Sequence, residues 1–286
     1  MAFIKSLKAN DGQIILRKYK PPSPELIISN DESISICFLD TETTGINRLT
    51  DQIIELAIKV VEFEQKSGKI ISITGEYESF NQPEKEIGEH IIALTGINDD
   101  MVKDKYIEWD KVDYILKNVD LIVAHNASFD RAFVDRYSKI TPNKIWACSI
   151  KDIDWLSKGF PNQKQELLCY WHGFYFDAHR AMNDVDALIH LMIHSYYDKD
   201  RPIIELINNA KKVIYKIYVT NFPYNEQKKD LIKSEGYRWN TKDKIWFKEV
   251  GEKELESEKT YLNKIIYDGD FKGMIEEISL NKKYKI

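Results

Sequence analysis

Between residues 34 and 80, apolar and β-branched side chains come in three runs separated by short polar breaks. Residues 34–42, 53–64 and 69–80 each predict a strand, with Ser67-Gly68 as the turn between the last two. Tight connections between consecutive strands predict an antiparallel meander. The pattern then changes. Residues 99–104 and 110–118 predict helices, and the wholly apolar 121–124 predicts a short strand buried on both faces. A helix capped by Asn126 or Ser128 should follow, to about residue 137. Residues 144–150 predict one more strand, and 150–158 and 164–173 predict helices. The helix predicted over 183–196 aligns Val185, Leu188, Ile189 and Met192 on one stripe. Strands first, then helices around a further buried strand, predict an α/β domain over residues 33–200 with a mixed sheet between helices.

Asp198-Lys-Asp-Arg-Pro202 breaks the pattern and predicts a boundary. Beyond it, 201–286 predicts a small α+β module. Its elements are a strand over 211–220, a helix over 225–234 ended by Gly236, and a hairpin of 237–240 with 245–250. A charged helix over 252–266 and one more strand in the tail complete it. At the other end, residues 1–32 predict an N-terminal arm or edge strand, because Lys20-Pro-Pro-Ser-Pro24 rules out a central strand or helix.

Composition adds limits. The chain has 286 residues, 43% hydrophobic and 30% charged, the range of an ordinary folded protein. No apolar run nears the roughly 20 residues of a membrane helix, and the N-terminus does not read as a secretory signal. Three distant cysteines, Cys37, Cys148 and Cys169, show no metal-type spacing and cannot all pair, so a reducing, cytoplasmic setting is expected. The net charge of −5 hides an asymmetry. Residues 201–286 hold 18 Lys+Arg against 14 Asp+Glu, and residues 1–200 hold 23 against 32.

An acidic first part is awkward for a nucleic-acid binder, but a site built from carboxylates lowers the balance by itself, so net charge decides little. Asp40 and Glu42 stand two apart at the end of the first strand and project from one face. Two carboxylates aimed at one spot repel unless a proton or a metal lies between them. Asp130 sits in the first turn of a predicted helix, and Asp184 opens another after His179-Arg-Ala-Met-Asn. Singly, each fits a capping aspartate or a solvated strand end. Together they offer an oxygen-rich set suited to hard divalent ions.

DTETTG, HNASFD and HRAMND, with Leu94-Thr-Gly-Ile97 between the first two, resemble the motifs of the DEDDh 3′–5′ exonucleases. That family of the ribonuclease H-like superfamily includes the epsilon proofreading subunit, exonuclease X and ribonuclease T. The resemblance covers residues 34–197, and the H-x4-D spacing separates it from the sister class with tyrosine. It implies a ribonuclease H-like exonuclease domain with a mixed central sheet. It further implies that Asp40, Glu42, Asp130 and Asp184 hold two divalent cations, Mg²⁺ or Mn²⁺. Glu42 and His179 would be catalytic, His179 taking the proton of the attacking water. Thr41, Thr43, Thr44, Gly45 and Asn126 would contact the 3′-terminal nucleotide. The implied substrate is a single-stranded 3′ end, DNA favoured over RNA, cut to nucleoside 5′-monophosphates, with a polymerase or repair complex as partner. An RNA-trimming enzyme and a nucleic-acid-binding subunit stand as alternatives.

Other residues have simpler readings. His125 reads as structural, and His172, His190 and His194 as satisfied or solvent-facing. Phe129 and Phe133 read as core packing. Residues 211–248 interleave 10 Lys+Arg with eight aromatics against 4 Asp+Glu. The Gly236-Tyr-Arg-Trp-Asn240 and Lys244-Ile-Trp-Phe-Lys248 stretches resemble a small module appended to some bacterial exonucleases. Arg238, Trp239, Trp246 and Lys248 are the candidate nucleic-acid contacts. The two tryptophans fit the core of a small domain equally well.

Overall fold

The computed structural model describes residues 14–25, 32–197 and 200–285. The chain forms two compact units, 1–210 with 284–286, and 211–283.

The first unit begins, within the described residues, with β1 (Arg17–Lys18), then β2 (Ser33–Thr43), β3 (Ile53–Glu64) and β4 (Ile70–Phe80). Helices α1 (Glu89–Thr95), α2 (Asp99–Val102) and α3 (Trp109–Leu116) lead to β5 (Leu121–Ala124) and α4 (Ala127–Val134). After β6 (Ile145–Cys148) come α5 (Gln165–Trp171), β7 (Phe174–Tyr175), α6 (Ala181–Met192) and α7 (Pro202–Ala210). The main sheet has the order β4-β3-β2-β5-β6. The meander β2-β3-β4 is antiparallel, and β5 and β6 join in parallel, so the sheet is mixed as expected.

Strand β2 shows why its sequence is apolar almost throughout. Alternate side chains enter different cores. Ile34, Ile36 and Phe38 pack with Val185, Leu188 and Ile189 of α6, while Cys37 and Leu39 pack with Phe133 and Val134 of α4 and Val112 and Leu116 of α3. A strand covered on both faces turns polar only where it outruns its helices. β2 does so at Asp40.

Two expectations change, at 150–158 and at the boundary near 200, and one helix was not anticipated. Residues 150–158 form turns, because short polar side chains compete for the backbone. Asp152 accepts from the Cys148 amide at 2.8 Å, and Asp154 from the Ser157 amide at 2.9 Å. Helix α1, set between Gly88 and Gly96, was too short to read from periodicity. The predicted boundary at 200 falls inside the first unit. Pro202 is the first residue of α7, where its missing N–H costs nothing. Ile203, Leu206, Ile207 and Ala210 then bury into the same core as α6. Most of the predicted arm lies outside the described residues; its β1 pairs in parallel with β7 in a two-stranded sheet of their own.

The second unit contains β8 (Ile214–Tyr218), α8 (Glu226–Ser234), β9 (Arg238–Asn240), β10 (Ile245–Gly251), α9 (Glu252–Tyr261) and β11 (Met274–Ile278). Its antiparallel sheet runs β11-β8-β10-β9. Asn225 caps α8 by accepting from the Lys228 amide at 2.7 Å, and α9 loosens into a π-turn over Leu262–Ile266. Ile217, Val219, Ile232, Tyr237, Trp246, Leu262 and Ile266 form its core. Among the described residues no helix is long and apolar enough to cross a membrane, and all three cysteines are buried and unpaired.

Candidate active site

The site forms where β2 passes beyond its covering helices. Asp40 and Glu42 leave the face of the sheet that α6 packs on, and α6 supplies Asp184 from its first turn. The chain enters α6 through His179, whose φ of 65° places it in the left-handed region. That turn points the amides of His179 and Arg180 at Asp184, whose Oδ2 accepts them at 2.9 and 3.3 Å. The carboxylate therefore satisfies amides left free at the helix start. Gln165 of α5 donates to the Asp184 carbonyl at 2.8 Å and fixes the turn from behind. Carboxylate oxygens of Asp40, Glu42 and Asp184 lie within 4.8 Å of one another.

Asp130 comes from the other side of the sheet. Thr41 points toward α4, and Asp130 Oδ1 accepts from its amide at 3.1 Å and its hydroxyl at 2.9 Å. Asp130 is buried and lines the same cleft, but it stands outside the close group of three. The cleft holds about 1000 Å³, and Leu94, Asn126, Phe129, Phe160, Gln163 and His179 are among its walls.

Burial in a crowd of like charges drives these acids toward their protonated forms. Glu42 is pushed up to about 8, by desolvation first and then by Asp184, Glu55 and Asp130. Asp130 and Asp184 rise to about 7, also chiefly by desolvation, opposed by the Thr41 bonds in one and the His179 and Arg180 amides in the other. Asp40 is raised by desolvation and then by Asp184. Such a group holds negative charge only with a cation to share it. All its donors are oxygens, the set that Mg²⁺ and Mn²⁺ prefer, so the residues fit the ions expected from the sequence.

Two residues that the sequence reading passed over complete the frame. Glu55 of β3 is opposite Glu42 in register and fully buried. It takes the Arg180 guanidinium at 2.9 and 3.2 Å and the Ala181 amide at 2.9 Å. The only signal was one acid in the otherwise apolar start of β3. Lys59 on the same strand pairs with Asp186 of α6 at 2.5 Å.

Several expected roles move. Thr41 and Asn126 line the cleft, but Thr43, Thr44 and Gly45 are not among its walls. Thr43 donates to the Gly45 carbonyl at 2.6 Å, and Thr44 exchanges bonds with Gln52 at 2.9 and 3.0 Å. These bonds brace the loop after β2. Phe129, expected in the core, is half-buried and faces the cleft, resting on Phe133 at 5.0 Å. His125 has the structural place expected, with Nδ1 2.6 Å from Ser149 Oγ and Nε2 2.8 Å from the Gln163 carbonyl. Burial lowers it to about 4. His172, His190 and His194 cluster with Phe174, the Phe174 and His194 rings stacked and the other pairs edge to face. His172 bonds to the Leu168 carbonyl and the Tyr197 hydroxyl at 2.6 and 2.8 Å.

In the second unit the four candidates separate. Trp246 is core, 8% exposed, whereas Trp239 is 46% exposed. Lys248 pairs with Glu258, and Arg238 lies over the Phe247 ring at 5.0 Å on the other face of the hairpin.

The family model described as Exonuclease matches residues 37–192. A PolC-type DNA polymerase III of Listeria monocytogenes is 33% identical over 181 residues, covering 58% of this chain and 12% of that protein. The Bacillus subtilis protein of the same name is 35% identical over 172 residues, covering 56% and 11%. The chain thus spans about an eighth of the length of these relatives or less. Among solved structures, exonuclease X with 5′ overhanging duplex DNA is 23% identical with a TM-score of 0.42, covering 59% of this chain and 99% of that one. Exonuclease I of E. coli with a dA16 oligonucleotide is 15% identical with a TM-score of 0.46, covering 64% and 48%.

Proposed function

The chain belongs to the exonuclease family, and on that premise we propose that its first unit is a metal-dependent 3′–5′ exonuclease of the DEDDh type. The observation that carries the reading is the meeting of Asp40, Glu42 and Asp184 within 4.8 Å in a cleft that also holds His179 and Asp130. Those four carboxylates would hold two divalent cations, which when bound supply charge neutralisation at the phosphate and at the departing 3′ oxygen.

The remaining work falls to the chain. His179 faces the cleft from the turn that Asp184 anchors, and its imidazole accepts the proton of the attacking water. The ion pair of Arg180 is with Glu55, at 2.9 Å, so the guanidinium does not take the place of a cation on Asp40, Glu42 or Asp184. Asn126 makes no capping bond to its own helix; its Oδ1 accepts from the Ser128 hydroxyl at 3.3 Å, and its amide nitrogen would serve the terminal nucleotide. Phe129 offers that nucleotide an apolar wall. The products are nucleoside 5′-monophosphates. DNA is the preferred substrate, a reading supported by the relatives' description as DNA polymerases; association with a polymerase or repair complex rests on the same likeness.

The test compares end-labelled single- and double-stranded DNA and RNA with Mg²⁺, Mn²⁺ or EDTA, beside Asp184→Ala. Stepwise shortening from the 3′ end of DNA is expected, abolished by EDTA and by the substitution. Cleavage that survives either would refute the metal assignment. Faster trimming of RNA would overturn the choice of substrate.

A further inference from the structure

The second unit contains a cleft of about 780 Å³ bounded by the β9–β10 hairpin, the loop 219–224 and one side of α8. That volume lies within the roughly 300–1,000 Å³ of small-ligand sites. Its walls are made in an unusual way for so small a unit. Trp239 and Trp246 are cross-strand partners with rings 5.3 Å apart, and only Trp246 is covered by the core. The two rings are tilted at 58° to one another, and Trp239 carries the pair outward into the cleft. Tyr224, 65% exposed, stands in the same cleft with Phe222 against it. A unit of this size has few large side chains to spare, and burying them is its chief source of stability. Two are nevertheless left in solvent on facing parts of one groove.

The cleft walls carry three lysines against Asp243, and Glu226 accepts from the Tyr224 hydroxyl at the rim. Lys229, Lys233 and Lys244 line the cleft. Lys229 is held by Glu226. Among the described residues no carboxylate forms an ion pair with Lys233 or Lys244, although Lys233 is close enough to Glu226 to help lower its carboxyl. Asp243 accepts from Asn240 at 2.7 Å within the hairpin turn. The sheet face on the other side differs: there Arg238 and Lys216 lie on the Phe247 ring, and Glu249 stands 3.9 Å from Arg238. Its cations already have partners.

We propose that this cleft seats an unpaired base of a single-stranded nucleic acid, stacked on Trp239 and Tyr224, with Lys233 and Lys244 on the flanking phosphates. Exposed aromatic faces bind bases with little regard to sequence, and free ammonium groups beside them track the backbone. Duplex DNA keeps its bases stacked inside and offers nothing to the rings. The proposal uses no residue of the first unit and stands or falls separately from the nuclease reading.

The test measures binding of a labelled oligothymidylate to the full chain by fluorescence anisotropy, in EDTA so that no metal-dependent cleavage intervenes. Trp239→Ala is expected to weaken binding about tenfold, and Tyr224→Ala severalfold. The double substitution Lys233→Gln, Lys244→Gln should flatten the dependence of log affinity on log salt by about 1.4, two phosphate contacts at about 0.7 each. Thermal melts establish that each variant folds; if Trp239→Ala does not, Tyr224→Ala alone decides. Unchanged affinity in the folded aromatic variants overturns the proposal. So does equal weakening of duplex and single-strand binding by the lysine variant with no effect of the aromatic ones, which would make the cleft a backbone contact only.

Discussion

At the end of β2, the half-buried Asp40, Glu42 and Asp184 and the buried Asp130 line one cleft; beside α8, a tryptophan and a tyrosine stand in water with two lysines for company. Each cleft works against the stability of its own unit, by opposite means. The first buries charge that would be better hydrated, and the second hydrates apolar surface that would be better buried. The sizes differ too. Desolvation, with like charges behind it at Glu42 and Asp184, lifts these carboxyls by several pKa units, whereas an exposed ring forgoes only part of one side chain's burial. The first cleft should therefore respond strongly to pH, to cations and to single isosteric changes, and the second hardly at all.

The largest expected effect is kinetic. His179→Ala should lower kcat by about 10²–10⁴-fold with little change in KM, the range for a lost proton acceptor, measured under saturating DNA and Mg²⁺. A fall in affinity without a fall in turnover would make His179 a substrate contact instead. Next comes the frame. Glu55→Gln leaves Arg180 without its charge partner and should destabilise the first unit by about 2 kcal/mol, below the 3–5 of a fully buried pair because the Arg180 side chain is 38% exposed. Calorimetry can follow the transition of each unit separately.

A third prediction concerns pH. Glu42, Asp130 and Asp184 titrate near 8, 7 and 7 in the fold, against ordinary values near 4 when unfolded. The folded form binds more protons between those limits, so stability is greatest below about pH 4 for these groups and is lost as pH rises toward 8. In EDTA the melting temperature of the first unit should fall between pH 5 and 8, and Mg²⁺ should restore it at the upper end. Asp40→Asn, which removes one of the repelling charges, should raise the melting temperature at pH 8 in EDTA by several degrees while abolishing cleavage. A lower melting temperature in that variant would show that repulsion is not what strains the site. The smallest effect belongs to the second cleft. Trp239→Ala should change its unit's stability by no more than about 0.5 kcal/mol and leave its pH profile flat.

What could be read in advance followed from local rules. Asp40 and Glu42 share a strand face by period two, and Asp184 stands in a first helical turn; both facts are short-range. Glu55 escaped because its partner, Arg180, is far along the chain, and nothing near it in sequence marks it as more than a break in an apolar run. Thr43, Thr44 and Gly45 read as substrate contacts by likeness, yet their direction depends on Gln52, across a loop. Trp239 and Trp246 were indistinguishable in sequence. Strand order separates them: Trp246 lies on the inner strand β10 and Trp239 on the edge strand β9. The turn over 150–158 and helix α7 show one lesson from two sides: polar side chains undid one expected helix, and a proline began one that had been taken for an ending.

Helix α7 has a practical consequence for anyone wishing to dissect the molecule. Its Ile203 rests over the β3–β4 turn so closely that a Cβ on Gly68, already at φ 64°, would lie 2.5 Å from it. Expression of residues 1–200 alone would strip this cover and bare a greasy strip along the nuclease core. The resulting fragment should precipitate or be captured by chaperones, and its silence in an assay would say nothing about catalysis. A cut after Ala210 keeps that lid in place.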